Sequence, residues 1–359
     1  MNITFFIGNG FDINLGLKTR YSDFYGYFVK NASTDNMVRK WLEEDSQNIF
    51  LWSDLESALG QKMEKVNNDT LDKFNNDKIE LDRLLLYYLE GEQQQLSFED
   101  KEGIATEMER SLQGYTDNLS EADEASIKST CDKFKSEKVK YCFVCFNYTA
   151  TLDQIIDITK ALKPAITTHA SGGVTVKDAI GNLVHIHGRL NEGMILGVND
   201  KNQINNEELA NDDNLLDAFI KERANEFIGQ RRVDHVKDAL KQSHIVCIFG
   251  MSVGKTDKMW WIEIINWLKA NESNRVIIFD FINEVNQQRR SASSMIPLQK
   301  NAKDKLLRYA DLERNSPEYS KLSKQVLVSF NTKIFEFKNL LFERDTEKLM
   351  NSEALILHY

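Results

Sequence analysis

The sequence predicts an α/β protein: a mostly parallel sheet with helices on both sides and a large all-helical insertion after the first strand. Three observations carry that prediction. Short apolar runs ending in glycine or polar tips recur at Ile3 to Ile7, Val139 to Phe146, Asn182 to His187, His244 to Phe249 and Arg275 to Asp280. Helical periodicity separates most of them. From Met37 to Lys138 that periodicity stands alone, with Trp41-Leu42, Leu55-Leu59, Leu81-Leu84-Leu85-Tyr88-Leu89 and Met108-Leu112 at three- and four-residue steps. The expected boundaries are 1–30 and 139–359 for the sheet domain and 31–138 for the insertion, a common place for a lid or an assembly surface.

The first run leads straight into Gly8-Asn9-Gly10-Phe11-Asp12. Glycines there permit a sharp turn, and a helix starting near Asp12 points its first amides at an anion. The usual dinucleotide fingerprint is not met, because Ile13 stands where a third glycine belongs and the next glycine is Gly16. The turn is therefore either a phosphate cradle or a plain turn. Under the first reading a branched residue at Gly10 blocks the ligand and spares the fold.

In the insertion, Ser53 reads as a helix cap with Glu56 three residues on, so Glu56 either completes a capping box or faces a ligand. Val139 to Phe146 is apolar throughout, as parallel strands covered on both faces are, and it ends at Asn147-Tyr148-Thr149, where ligands collect in such sheets. Leu152 to Leu162 is expected as helix. Asn182 to Gly188 is a second short strand ending at His187-Gly188, Met194 to Val198 a possible third, and 205–241 helical. His185 and His187, two apart on one strand, are expected to share a face, with His187 better placed at the strand end.

His244 to Phe249, the small-residue turn Gly250-Met251-Ser252-Val253-Gly254, the helix Thr256 to Ala270 and the strand Arg275 to Asp280 form the cleanest unit. This is the right-handed crossover of a nucleotide-binding sheet, with Asp280 as the strand-end acid that bonds a ribose hydroxyl. Asp257 either caps the following helix or reaches a ribose, capping being the commoner role. Two further helices precede Gln325 to Phe330 and Thr332 to Phe337, read as edge strands or a hairpin.

Composition narrows the function. The 359 residues carry a net charge of -10, which argues against a sequence-independent grip on nucleic acid. No apolar run approaches the roughly 20 residues that span a bilayer, and the N-terminal run is too short for a signal peptide. A cytoplasmic protein is expected. The cysteines are Cys131, Cys142, Cys145 and Cys247; Cys142 and Cys145 form a C-x-x-C without a second pair, so no metal site is expected.

Four turns thus stand at strand ends: Gly8 to Asp12, Asn147 to Thr149, His187-Gly188 and Gly250 to Gly254. In chain order, and in the forty positions between Asn147 and His187, they resemble the sirtuin-like NAD-binding fold. Gly8-Asn9-Gly10-Phe11-Asp12, Leu17-Lys18-Thr19, Trp52-Ser53-Asp54-Leu55-Glu56, Phe146-Asn147-Tyr148-Thr149 and His185-Ile186-His187-Gly188 together resemble the AbiH abortive-infection family of bacterial anti-phage proteins, over roughly residues 1 to 285. The resemblance implies a Rossmann-like sheet and an abortive-infection effector that hydrolyses NAD to nicotinamide and ADP-ribose. It implies that Asn147 and His187 carry the chemistry and that Gly8, Asn9, Gly10, Asp12, Gly250, Ser252 and Asp280 bind the nucleotide. NAD is then substrate rather than resident cofactor, and a homo-oligomer or a phage or defence-protein trigger is the expected partner. The zinc ribbon of the sirtuin deacylases is missing, which argues against protein deacylation, and Asp12 replaces their small or hydroxyl residue. The alternative is a non-catalytic nucleotide-binding sensor or scaffold of a defence system. A phosphoester hydrolase is weaker, for want of a dense Asp, Glu and His cluster.

Overall fold

The computed structural model describes residues 1–45, 52, 54–171, 173–190, 192–282, 292–314, 316–337 and 340–342. Its centre is a seven-stranded sheet built from β1 (Asn2–Ile7), β3 (Lys140–Cys145), β4 (Thr167–Ser171), β5 (Val174–His185), β6 (Ile245–Phe249), β7 (Arg275–Asp280) and β8 (Val326–Phe330), while the two-residue β2 (Leu96–Ser97) pairs with Leu341–Phe342 elsewhere. The order across the sheet is β4-β5-β3-β1-β6-β7-β8, and every neighbouring pair is parallel except β4 with β5. The chain first builds outward from β1 through β3 and β5, then returns to the other side of β1 for β6, β7 and β8. The strand order therefore reverses between β1 and β6, where open α/β sheets open a crevice.

Alternation along the strands covers both faces. Ile3, Phe5, Ile7, Phe143, Cys247 and Phe249 pack with Ile104 and Met108 of α6 (Lys101–Gln113), Ile127 of α7 (Glu121–Asp132) and Ile155 of α8 (Thr151–Leu162). Phe6, Val144, Val246, Ile248 and Ile278 face the opposite way onto Val236 and Leu240 of α11 (Arg232–Gln242) and Trp260, Ile264 and Leu268 of α12 (Lys258–Ala270). A third core joins α2 (Tyr21–Asn31), α3 (Met37–Glu44), α4 (Leu55–Lys62) and α5 (Asn68–Gln93) to α9 (Asp213–Phe219) and the segment around Leu190 to Leu209. Tyr148, just past β3, belongs to that core, so this helical layer stands over the carboxyl edge of the sheet.

The strand ends are level: Ile7 is in register with both Cys145 and Phe249, and Cys145 with His185. Everything that leaves these strands emerges along one line. Between the central two, the turns touch. Gly8 and Gly10 donate their amides to Phe249 and Gly250 at 2.9 and 2.8 Å, and a Cβ on Gly10 would stand 2.4 Å from the Gly250 Cα. Gly250 itself has φ +68, a left-handed conformation that favours glycine.

Four expectations change. The strand expected at 182–188 begins at Val174 and ends at His185, because its first half pairs antiparallel with β4 across the Ser171 to Val174 hairpin. Met194 to Val198 is not a strand: Val198 forms one parallel bridge to Ile220, and the rest is irregular chain packed into the third core. Thr332 to Phe337 is a turn that drives Phe335 into the sheet core rather than an edge strand, while Gln325 to Phe330 does supply the parallel edge strand β8. Ser53, the expected cap of α4, lies outside the described residues, and Asp54 is the cap, accepting from the Ser57 amide at 3.0 Å.

Gly10 is therefore a packing position before it is a ligand position, which corrects the expectation that a branched residue there spares the fold. Gly10→Ala should lower stability by about 1–3 kcal/mol through overpacking. Gly26→Ala, in α2 with nothing within 4 Å of the added methyl, should be neutral or stabilise by up to about 1 kcal/mol. Chemical denaturation of the two variants beside the parent checks the pair, and equal effects would contradict the contact.

Candidate functional site

A cavity of about 600 Å³ opens at the carboxyl edge, lined from the sheet by Gly8, Asn9, Gly10, Asp12, Asn147, His187, Gly250 and Ser252 and from the helical layer by Tyr21, Asp54, Glu56 and Leu85. It is large enough for a cofactor-sized molecule. Eight of the nine residues singled out from sequence thus meet in one place. Asp280 does not line it; its carboxylate is held by Lys305 at 2.7 Å.

The first turn is not an open phosphate cradle. Gly8, Gly10 and Phe11 spend their amides on Phe249, Gly250 and Gly8, and α1 (Gly10–Asn14) is only five residues long. The Asn9 side chain is committed too, donating to the Thr19 carbonyl at 2.8 Å and accepting from the Thr19 hydroxyl. The second turn differs. Among the described residues the amides of Met251, Ser252 and Val253 donate to no acceptor of the protein, and Val253, at φ +54, is held there by Arg308 and Tyr309 on its carbonyl. Free amides along a glycine-flanked turn suit anionic oxygens.

His187 is buried and donates from Nε2 to Asp257 Oδ1, 2.9 Å away, while its Nδ1 is buried without a partner among the described residues. The carboxylate partner assigns the proton to Nε2 and leaves Nδ1 as the acceptor. Burial, followed by the Lys221 charge, pulls the imidazole below its ordinary value, so the ring is neutral at neutral pH; Asp257 opposes the shift. Phe146 packs edge-on against the ring and stacks on Trp261.

Behind Asp257 lies Lys221, the first residue of α10 (Lys221–Phe227). Its ammonium meets Glu56 Oε2 at 2.7 Å, Asp257 Oδ1 at 3.1 Å and the Thr256 carbonyl at 3.3 Å, which uses all three of its protons. Two buried carboxyls share this one cation. Burial raises both, but Asp257 also accepts from His187, and Lys221 and His187 hold it well below the ordinary range. Glu56 takes the other course: burial, with the neighbouring Asp257 and Asp54 charges, pushes it up to about 8 against the pull of Lys221.

Asn147 sits just beyond β3, with both atoms of its amide buried and unpartnered among the described residues. Asp12 is nearly inaccessible. Its Oδ2 accepts from the Thr149 hydroxyl at 2.6 Å, its Oδ1 has no partner among the described residues, and burial pushes it up to about 6 against Thr149, Asn147 and the His185 charge.

The two histidines do not share a surroundings, contrary to expectation. The strand ends at His185, and the chain turns before His187 enters the cavity. His185 instead lies between the Asn147 carbonyl and Asp153, beside a second cleft. Asp257 is not a cap: at the start of α12 its side chain makes no capping bond and turns to His187 and Lys221. Glu56 faces the cavity, the less bland of its two readings. Lys221 was not foreseen, since in Lys221-Glu222-Arg223 nothing distinguishes it from a solvated charge.

A mostly parallel sheet, a level line of strand ends and a cavity at the point of strand reversal, lined by polar and apolar groups together, define an α/β protein with a candidate ligand site. The family model for bacteriophage abortive infection AbiH matches residues 4–281, and the chain belongs to the AbiH family. That membership links it to abortive-infection defence against phage. No curated protein matches the sequence. Among the described residues no helix is long and apolar enough to cross a membrane, and no group of three or more His, Cys, Asp or Glu is arranged to hold a metal ion.

Because the folded chain keeps the Glu56 proton up to about pH 8 and the unfolded chain releases it near its ordinary value of 4.5, the stability that proton contributes falls as pH rises between those values. His185, raised to about 10, adds a fall of the same sign above its ordinary 6.5. Glu56→Gln should therefore flatten, without abolishing, the decline in thermal midpoint between pH 6.5 and 8. Lys221→Met, which strands the Asp257 charge, should cost about 3–5 kcal/mol. Thermal scans at the two pH values test both, and an unchanged slope in Glu56→Gln would contradict the assignment.

Proposed function

We propose that this AbiH protein binds NAD on a Rossmann-like, sirtuin-like sheet and hydrolyses it to nicotinamide and ADP-ribose. The observation that carries the reading is the pairing, in one cavity, of the unpartnered His187 Nδ1, backed by Asp257, with the unpartnered Asn147 amide. In the reaction the bond between the ribose C1′ and the nicotinamide nitrogen breaks, its electron pair leaving with nicotinamide, and a water oxygen bonds to C1′. The proton that water or a ribose hydroxyl gives up goes to His187 Nδ1, which a neutral, Nε2-protonated ring can accept; Asp257 then stabilises the imidazolium that forms. Asn147 orients the hydroxyl or the water without adding charge. The amides of Met251, Ser252 and Val253 suit the pyrophosphate, and the helical layer above the cavity excludes bulk water.

Purified protein incubated with NAD should release nicotinamide. Asn147→Ala and His187→Ala should each lower that rate by roughly 10²- to 10⁴-fold while NAD still binds, and Asp257→Asn should lower it as well by freeing the ring to take the wrong tautomer. If NAD binds and the parent releases no nicotinamide, the sensor reading replaces this one.

A further inference from the structure

Among the described residues no side-chain hydrogen bond of ordinary geometry fixes the Asn147 amide, which lies beside the Asp12 carboxyl, yet a residue that orients a reacting group has to be held to well under an ångström. Its backbone supplies the hold. The amide of Phe146 donates to Ile7, and the carbonyl of Tyr148 accepts from Leu190, but the Asn147 carbonyl is reached at ordinary hydrogen-bond distance by one group among the described residues, His185 Nδ1, at 2.9 Å. The weak Cys145 thiol stands off at 3.8 Å. On its other side the same ring meets Asp153 Oδ2 at 2.8 Å. A carbonyl and a carboxylate are both acceptors, so satisfying them together requires a hydrogen on each ring nitrogen. Asp153 is itself anchored: its Oδ1 accepts from Arg189 Nη1 at 2.8 Å, Arg189 also pairs with Glu192, and Asp153 sits in the first turn of α8, where a helix favours negative charge.

We propose that His185 is a doubly protonated positioning residue for Asn147: anchored by Asp153, it clamps the Asn147 carbonyl and so sets where the Asn147 amide enters the cavity. This rests on the reading of Asn147 given above. The groups that face the ring are Asp153 from α8, Arg189 from the chain beyond β5, Cys145 from β3 and, across the Asn147 backbone, Asp12 from α1. Burial works against the charged ring, yet Cys145 and Asp153 raise it to about 10, in accord with the bonding pattern. His185 touches neither the cavity's free amides nor its open volume, which separates it from His187.

The test combines rate, coupling and protonation state. His185→Gln, which keeps a donor and loses the charge, should lower kcat for nicotinamide release by roughly 10- to 100-fold and leave KM within about threefold, since the clamp acts on the orienting group and not on the nucleotide. Asp153→Asn should act in the same direction, and it serves if the first variant folds poorly. In the Asn147→Ala background His185→Gln should cost almost nothing further, because the residue it positions is gone. Multiplying losses, or a rise in KM alone, would overturn the proposal. Nitrogen-15 spectra of histidine-labelled protein at pH 8 should show His185 with both ring nitrogens protonated. A neutral ring there refutes the proposal whether or not the parent cleaves NAD, and absence of nicotinamide release with a charged ring refutes only the reaction.

Discussion

The arrangement of the site depends on one close approach, the crossing of the Gly10 and Gly250 backbones. β1 and β6 are neighbours across the reversal of strand order, and loops leaving such a pair normally diverge into opposite layers of helices. Here they are tied by amide-to-carbonyl bonds and lie so near that neither has room for a Cβ. The contact uses the first turn's amides internally and leaves unbonded amides, among the described residues, at the second. It also forces the chain after Gly250 into an unusual path, with Val253 in a left-handed conformation that a β-branched residue avoids. Bonds from Arg308 and Tyr309 to its carbonyl hold it there, an instance of local strain kept in place at a cavity-lining turn by the surrounding structure.

Lys221 is the second constraint. Its three proton acceptors come from α4, from the turn after β6 and from the start of α12, so the ammonium pins the helical layer to the sheet beside His187. Such buried ion sets contribute little net stability, since desolvation offsets the attraction, but losing one member leaves a charge that nothing neutralises. Lys221 holds Asp257 ionised, while burial raises Glu56 and lowers His187 toward their uncharged forms. A neutral base beside an ionised carboxylate is the state that proton abstraction needs, and here the helical layer, through Glu56 and Lys221, is part of what maintains it.

Much of the sheet was legible because buried parallel strands leave continuous apolar runs, and the strand-end tips at Asn147 and His187 followed from where those runs stop. The β4–β5 hairpin was missed although Ser-Gly-Gly between Thr167 to Ala170 and Val174 to Val176 is a turn signal; the five residue pairs that form it are partly exposed and mostly polar. Met194 to Val198 misled in the opposite way, since an apolar run lying under helices looks the same as one in a sheet. Asp280 fitted a strand-end pattern, but Lys305, twenty-five positions on, had already claimed its carboxylate. Lys221 and the partners of Asp257 were illegible for a common reason: spacing reports local structure, and both residues act through groups that are distant in sequence.

The two histidines show what spacing cannot resolve and bonding partners can. Both stand near one strand end, both are buried, and each has a carboxylate on Nε2. The difference lies at the other nitrogen. An imidazole with one acceptor partner and one unpartnered nitrogen, beside a lysine, stays neutral and keeps a lone pair at the cavity lining. An imidazole between two acceptors is charged and has no lone pair to offer. The first can take a proton from a bound molecule; the second can only hold something still. The chemical division between His187 and His185 therefore follows from a backbone carbonyl, that of Asn147, which ends at one ring and not at the other.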